Sequence, residues 1–233
     1  MDLRDTWERN AAEWIRWARA PGHDSYWRFH REAFLSLVPR PGRLTLDLGC
    51  GEGRVSRDLR QLSHRVTGVD GSETMVEAAL AADPDGEYLV ADAGALPFAD
   101  GYTDLVVAFM SLMDVDEMPT VLREVARVLE PGGRLALGVV HPLNSAHVLD
   151  REHPEDNLVL VPDYFERRRY RIAADRDGLR ATFESRHWTL QDYFEALLGA
   201  GFSVEALREV RDPEHPRWSR YPLFLDLRAS HPG

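Results

Sequence analysis

The sequence predicts an α/β fold built on an open, doubly wound, mostly parallel sheet, and three observations carry that prediction. Short apolar runs at residues 44–48, 64–69, 88–91 and 103–109 alternate with stretches of helical spacing. The fourth run is nearly unbroken through Leu105, Val106, Val107 and Ala108, as expected of a strand buried on both faces. Acidic residues stand at or beside the ends of the first three runs, at Asp47, Asp70 and Asp92.

In the first run Leu44, Leu46 and Leu48 alternate with Thr45 and Asp47, and Gly49-Cys50-Gly51-Glu52-Gly53 follows. Glycine admits positive φ and lets a ligand lie against backbone N–H groups, here at the start of a helix whose Val55, Leu59 and Leu62 share one face. Strand, glycine turn and helix together predict a nucleotide-type ligand. The spacing is GxGxG in place of the dinucleotide GxGxxG, and the Asp47 carboxylate suits a ligand bearing an ammonium group better than a pyrophosphate. Asp70, 23 positions after Asp47, falls where a ribose diol finds its acceptor. Asp92, after the third run, is placed to accept from an exocyclic amine. Three acids at successive strand ends describe an adenosine with an amino-acid tail.

Through these segments the chain resembles the class I S-adenosylmethionine-dependent methyltransferases. The resemblance is carried by LDLGCGEG (46–53), VTGVDGSETM (66–75), LVADAGALPFADGYTDLVVA (89–108) and VLREVARVLEPGGRLAL (121–137), in the family's order. It implies a Rossmann-like sheet of seven strands with the last antiparallel, and S-adenosylmethionine as cofactor. Carried over by position, Gly49, Cys50, Gly51 and Gly53 would hold the methionine part beside Asp47, and Asp70 with Gly71 the ribose. Asp92 and Ala93 would meet the adenine edge, Met75 would pack beside it, and Met110 would stand at the rim of the reaction centre.

In chain order, residues 2–20 read as an amphipathic helix with Trp7, Trp14 and Trp17 set among Arg and Glu, broken at Pro21-Gly22. A second helix with Tyr26, Trp27, Phe29 and Phe34 runs to Val38. Core packing is the plain explanation of such aromatics. By resemblance, residues 1–40 form a helical lid, with Tyr26 and Trp27 as substrate contacts next to a Gly-containing hinge.

Residues 41–142 make the cofactor-binding core. Past the fourth strand, Asp114 and Asp116 either orient a substrate or serve locally, Asp116 as the cap of a helix opening near Pro119 and Asp114 as a solvated loop acid. No further ligands accompany them, so no metal site is expected. The helix over 120–130 stops at Pro131-Gly132-Gly133, a turn into the fifth strand, 134–140. His141 follows at once. At the carboxyl end of a strand, with an ordinary pKa near 6.5, it is the candidate general base and a substrate contact.

Residues 143–188 exceed the minimal core. The polar stretch 144–157, with His147 and His153, predicts a loop or short helix. Residues 163–172 and 179–186 predict a hairpin around Asp175-Arg176-Asp177-Gly178, with Arg167-Arg168-Arg169 as a solvated strand face. Inserted after the fifth strand, this hairpin is expected to roof the substrate, with His187 either facing the pocket or bridging hairpin to core. In the last part, 189–233, Thr189 and Asp192 form a capping box for a helix, and 202–208 and 221–228 supply the final strands. Their connector, with Pro213, His215, Pro216 and Trp218, is long enough to reach the site.

The 233 residues suit one domain, and 44% apolar content can bury a sizeable core. All 28 basic residues are Arg, and a formal charge of −11 argues against a grip on a phosphate backbone, hence no nucleic-acid partner. Cys50 is the only cysteine, which excludes an intramolecular disulfide and fits a cytoplasmic protein. No run of about 18 apolar residues predicts a membrane partner. The expected activity is methyl transfer to a small-molecule acceptor, with oxygen favoured and nitrogen or carbon next. A methyltransferase acting on protein or RNA and a non-catalytic cofactor-binding regulator are the alternatives, and a homodimer is left open.

Overall fold

The N-terminal segment forms α1 (Leu3–Arg19), a π-helical turn (Tyr26–His30) and α2 (Arg31–Leu35) in the computed structural model, which describes residues 2–148 and 157–232. Asp2 caps α1 by accepting the Asp5 N–H, and Gly22 turns the chain at φ +74°. Where a second α-helix is expected, a π turn intervenes. Its wider turn leaves Tyr26, His30 and Phe34, all fully buried, facing the sheet.

The core runs β1 (Thr45–Leu48), α3 (Arg54–Gln61), β2 (Val66–Asp70), α4 (Glu73–Ala82), β3 (Glu87–Val90) and β4 (Thr103–Phe109). A 3₁₀ turn (Leu112–Asp114), α5 (Met118–Val128) and β5 (Leu129–Val140) complete it. The predicted turn at Pro131-Gly132-Gly133 is instead a bulged entry into β5: Leu129 pairs with Thr103, the register shifts, and Arg134 pairs with Leu105. Gly132 at φ +80° lets the ladder continue through the irregularity.

Beyond β5 come α6 (Pro142–Ser145) and two short antiparallel strands, β6 (His147–Val148) and β7 (Val159–Leu160). The predicted loop or short helix over 144–157 lies partly outside the described residues. The hairpin is β8 (Arg169–Arg176) and β9 (Leu179–Arg186), closed by Asp177 (φ +51°) and Gly178 (φ +77°). Positive φ at both loop residues makes this a type I′ turn, whose twist matches that of the strands. Then follow α7 (Leu190–Gly199), β10 (Ser203–Val210) and β11 (Phe224–Ser230). Thr189 and Asp192 form the predicted capping box at α7.

Seven strands join in the order β10-β11-β5-β4-β1-β2-β3, and β11 runs antiparallel to both of its neighbours. The alternation of β4 divides its apolar run between two cores. Val106 and Ala108 pack with α5 and α7 through Leu122, Val125, Tyr193 and Leu197, while Leu105, Val107 and Phe109 pack with Tyr26, Phe34, Val55 and Leu59 on the other face. Helices thus cover both faces, and the carboxyl ends of the parallel strands are left to α1 and the hairpin, which pack on each other.

Candidate active site

After Leu48 the chain turns through Gly49 (φ +75°), Gly51 (φ +54°) and Gly53 (φ +84°) into α3. A Cβ on Gly49 would stand 2.3 Å from Cβ of Ser111, whose hydroxyl donates to Leu48 O, so conformation and neighbour both demand glycine. The N–H groups of Gly49 and Cys50 donate to Val69 O, and that of Gly51 donates to Asp70 Oδ2 at 2.8 Å. Asp70 Oδ1 accepts the Ser72 N–H at 2.9 Å. Burial holds this carboxyl above its ordinary range. Ser72 caps α4, and Glu8 of α1 accepts from the hydroxyls of Ser72 and Thr74, which lays the lid helix across the start of α4.

A cavity of about 490 Å³ opens beside this loop. Gly49, Cys50, Gly51, Asp70, Gly71 and Met75 line it, together with Asp92, Ala93 and Met110. Asp92 is exposed and accepts the Gly94 N–H at 2.8 Å. Much of the remaining wall is aromatic, from Trp7, Trp14 and Trp17 on α1, Tyr170 on β8, Phe183 on β9 and Trp218 in the connector. Trp14 meets Trp7 and Phe183 edge-on at 6.1 and 5.6 Å. The Arg54 guanidinium sits 5.0 Å from the Trp14 ring centroid and is paired with Asp24 at 2.7 Å.

Several expected site residues lie outside this lining. Asp47 is buried and accepts from the Ser56 hydroxyl at 2.5 Å, so it braces the first turn of α3 and not a ligand's ammonium. Burial pushes its carboxyl up to about 7. Gly53 caps α3 behind the loop. Tyr26 lies in the core and donates to Asp58 at 2.6 Å, which the Arg31 guanidinium also holds with two bonds. Trp27 is 47% exposed, and its indole N–H donates to Ala18 O. The π turn aims these two aromatics at the sheet and at α1, and the aromatic lining from α1 comes from Trp7, Trp14 and Trp17.

The two histidines are also displaced. His141 is 2% exposed; its Nδ1 accepts the Leu143 N–H at the start of α6, and Nε2 lies 3.2 Å from Glu209. Nδ1 is thereby occupied, the neutral ring carries its proton on Nε2, and burial lowers its pKa against the opposing pull of Glu209. This ring caps a helix and is not poised as the base. His187 is fully buried, with Nε2–H donating to Tyr164 O at 2.8 Å and Nδ1 2.7 Å from the Ser145 hydroxyl. It bridges the hairpin to α6.

The acids after β4 both depart from their expected local roles. Asp116 caps no part of α5, which starts from Glu117 without a side-chain cap; it accepts the Leu3 N–H at 2.9 Å and pairs with Arg169 at 2.6 Å, joining lid to roof. The three consecutive arginines are not a free strand face, since Arg167 pairs with Asp192 and Arg168 donates to Ser145 O. Asp114 is not a solvated loop acid: it lines the cavity and accepts from the Ser185 hydroxyl at 2.6 Å. Burial lifts its carboxyl well above the ordinary range, and the Ser185 hydroxyl offsets only part of that.

Among known proteins, the family described as "Methyltransferase domain" matches residues 46–137, which hold the glycine loop and all three strand-end acids. A structure of an S-adenosylmethionine-dependent methyltransferase from Mesorhizobium loti superimposes with a TM-score of 0.69 at 25% identity, covering 86% of this chain and 96% of that one. Residues 46–137 thus match a methyltransferase family, and the fold around them is that of an S-adenosylmethionine-dependent methyltransferase. A demethylmenaquinone methyltransferase of Beutenbergia cavernae is 39% identical over 116 residues, 50% of this chain and 48% of that one. A 27-O-demethylrifamycin SV methyltransferase of Amycolatopsis mediterranei is 32% identical over 191 residues, 79% of this chain and 62% of that one. The chain thus spans between about half and three-fifths of the length of these two relatives.

The site fits the cofactor of this methyltransferase family, S-adenosylmethionine. A Cβ on Gly51 would meet only Trp14 Nε1, at 3.8 Å, so space stands open above the loop. Asp70 presents further lone pairs beside that space, and Asp92 stands exposed at the cavity edge. Sequence reasoning missed most of the aromatic half of the cavity. Tyr170, Ile172, Ala174, Phe183 and Ser185 all line it, and in both hairpin strands they stand two residues apart. That alternation is a readable signal, obscured by the charged Arg171 and Glu184 between them. The pairing of Asp24 with Arg54 has no signal in the sequence. Among the described residues no cluster could hold a metal ion, and no helix is long and apolar enough to cross a membrane.

Proposed function

We propose that this chain transfers the methyl group of S-adenosylmethionine to a small, largely apolar acceptor, with a hydroxyl oxygen as the favoured atom. One observation carries the reading: a single cavity of about 490 Å³ joins the glycine loop and Asp70 to a wall of aromatic side chains. The cofactor supplies an activated sulfonium methyl. The protein's part is to hold an acceptor in line with that methyl and keep water away, and such alignment can supply much of the acceleration. Gly49–Gly51 and Asp70 bind at one end, and Asp92 receives the base edge. Trp7, Trp14 and Phe183 line the space and give planar apolar groups a surface to lie on. Relatives whose names specify a quinone precursor and a rifamycin precursor support an acceptor of this kind.

Calorimetry with S-adenosylmethionine, S-adenosylhomocysteine and NADH tests the cofactor, and transfer of labelled methyl to a panel of phenols, quinols, amines and carboxylic acids tests the acceptor. Micromolar binding of the first two without NADH, with label moving to phenols or quinols, is the expected result. Label found only on amines would move the acceptor atom to nitrogen, and no binding of the sulfonium cofactor would overturn the reading.

A further inference from the structure

We propose that Asp114 is the catalytic residue that takes the proton from the acceptor's hydroxyl group. The proposal rests on the methyltransferase reading and deepens it. Lid, roof and core converge on this carboxyl: it sits in the 3₁₀ turn after β4, Ser185 of β9 donates to its Oδ1 at 2.6 Å, and the indole of Trp7 on α1 faces it. Tyr170 stands opposite Ser185 in the hairpin register, and its buried hydroxyl has no hydrogen-bond partner among the described residues.

The other carboxyls and the histidines of the cavity are committed elsewhere. Asp24 is held by Arg54, Glu52 by Arg19 and Arg57, and Asp212 by Arg28. Asp70 and Asp92 accept backbone N–H groups at the cofactor end. His23 presents both ring nitrogens to carbonyl oxygens, of Pro21 and Arg176. His215 turns Nδ1 toward the N–H groups of Arg217 and Trp218. Asp114 is the cavity carboxyl beyond the cofactor end that has no ion-pair partner among the described residues. A carboxylate neutralised by arginine is a weak base; one buried without a cation is a stronger one.

The step balances. The acceptor oxygen forms the new bond to the methyl carbon, the carbon–sulfur bond breaks and leaves its electron pair on sulfur, and the hydroxyl proton passes to the Asp114 carboxylate. The aromatic surroundings, Trp7, Tyr170 and Phe183, fit a hydroxyl borne on an apolar ring.

The test compares the full chain with Asp114→Asn on two acceptors, 1-naphthol and a nitrophenol that is largely ionised before it binds. Calorimetry of S-adenosylhomocysteine and of 1-naphthol on its complex is read alongside. The expected result is affinities within about twofold of the parent, methylation of 1-naphthol slowed by about 100-fold or more, and methylation of the nitrophenol nearly unchanged. An equal slowing on both acceptors, no slowing on either, or loss of S-adenosylhomocysteine binding in the variant would overturn it. So would a parent protein that binds cofactor and methylates neither phenol. A parent that binds neither S-adenosylmethionine nor its product overturns the methyltransferase reading itself, and this proposal with it.

Discussion

Asp70 accepts the Gly51 N–H at 2.8 Å, so the acid closing β2 and the glycine loop after β1 form one unit before any ligand arrives. Asp70→Ala should therefore do more than delete a ribose acceptor, because it also releases the loop. Loss of one charge-assisted contact and of this brace predicts S-adenosylmethionine affinity lower by about 10- to 100-fold. Asp70→Asn, which keeps an acceptor for Gly51, should fall between. Calorimetry on both variants checks the order.

His141→Ala should affect stability and leave the cofactor pocket alone. Its Nδ1 accepts the Leu143 N–H at the start of α6, and losing such a cap costs about 1 kcal/mol. The urea midpoint should drop while S-adenosylhomocysteine affinity stays within about twofold. His141→Asn, which can still accept at the cap, should recover most of the loss.

The burial of Asp47 links stability to pH. In the folded protein burial raises this carboxyl to about 7, whereas in the unfolded chain it titrates near about 4. Between those values the unfolded state gives up its proton first, so the Asp47 contribution to stability declines as pH rises from about 4 to about 7. Asp47→Asn, which can still accept from Ser56, removes that decline. The stability of the variant relative to the parent should grow across this window and level off above it, as measured by urea unfolding at a series of pH values.

Cys50 should be a slow thiol despite lining the cavity. Burial, with Asp70 and Asp47 nearby, pushes its pKa well up, and the thiolate is the reactive form. Iodoacetamide labelling should be slow in the folded protein, slower with S-adenosylhomocysteine bound, and fast in urea. Rapid labelling of the native chain would contradict the closed loop described here.

Glu8 is the clasp between lid and core. Its carboxylate accepts from Ser72 and Thr74 at the positive end of α4, which holds it below its ordinary pKa. Glu8→Ala should increase amide exchange in α1 while the β1, β4 and β5 amides keep their protection.

The core of the fold was legible because its signals are local. The glycine run at 49–53, the acids at 70 and 92, and the four apolar residues 105–108 each state a backbone conformation or a burial pattern within a few residues. The residues lining the loop end of the cavity lie in the same stretch, with Asp47 and Gly53 of that stretch outside the lining, and the Asp47 carboxylate looks identical in sequence whether it meets a ligand or Ser56. The acceptor end was harder to read. Tyr26 and Trp27 resembled lid residues as much as Trp7 and Trp14 did, and only the π turn separates them. His141 follows a strand at the ligand crevice, as a base should, and its direction depends on Leu143 and on Glu209, 68 positions away.

By itself, then, the sequence determined the alternating strands and helices and the glycine loop, because these rest on φ preferences, short-range spacing and periodic burial, while the resemblance of those segments to the methyltransferases named the cofactor. The tertiary structure alone decided which polar groups face the cavity. Asp114 becomes a cavity carboxyl without an ion-pair partner among the described residues only when α1 and the hairpin close over the end of β4, and its desolvation and its bond to Ser185 are long-range facts. Asp116, two residues later, turns outward to Arg169 and Leu3 and becomes a strut. Adjacent acids of like chemistry are told apart by what folds against them.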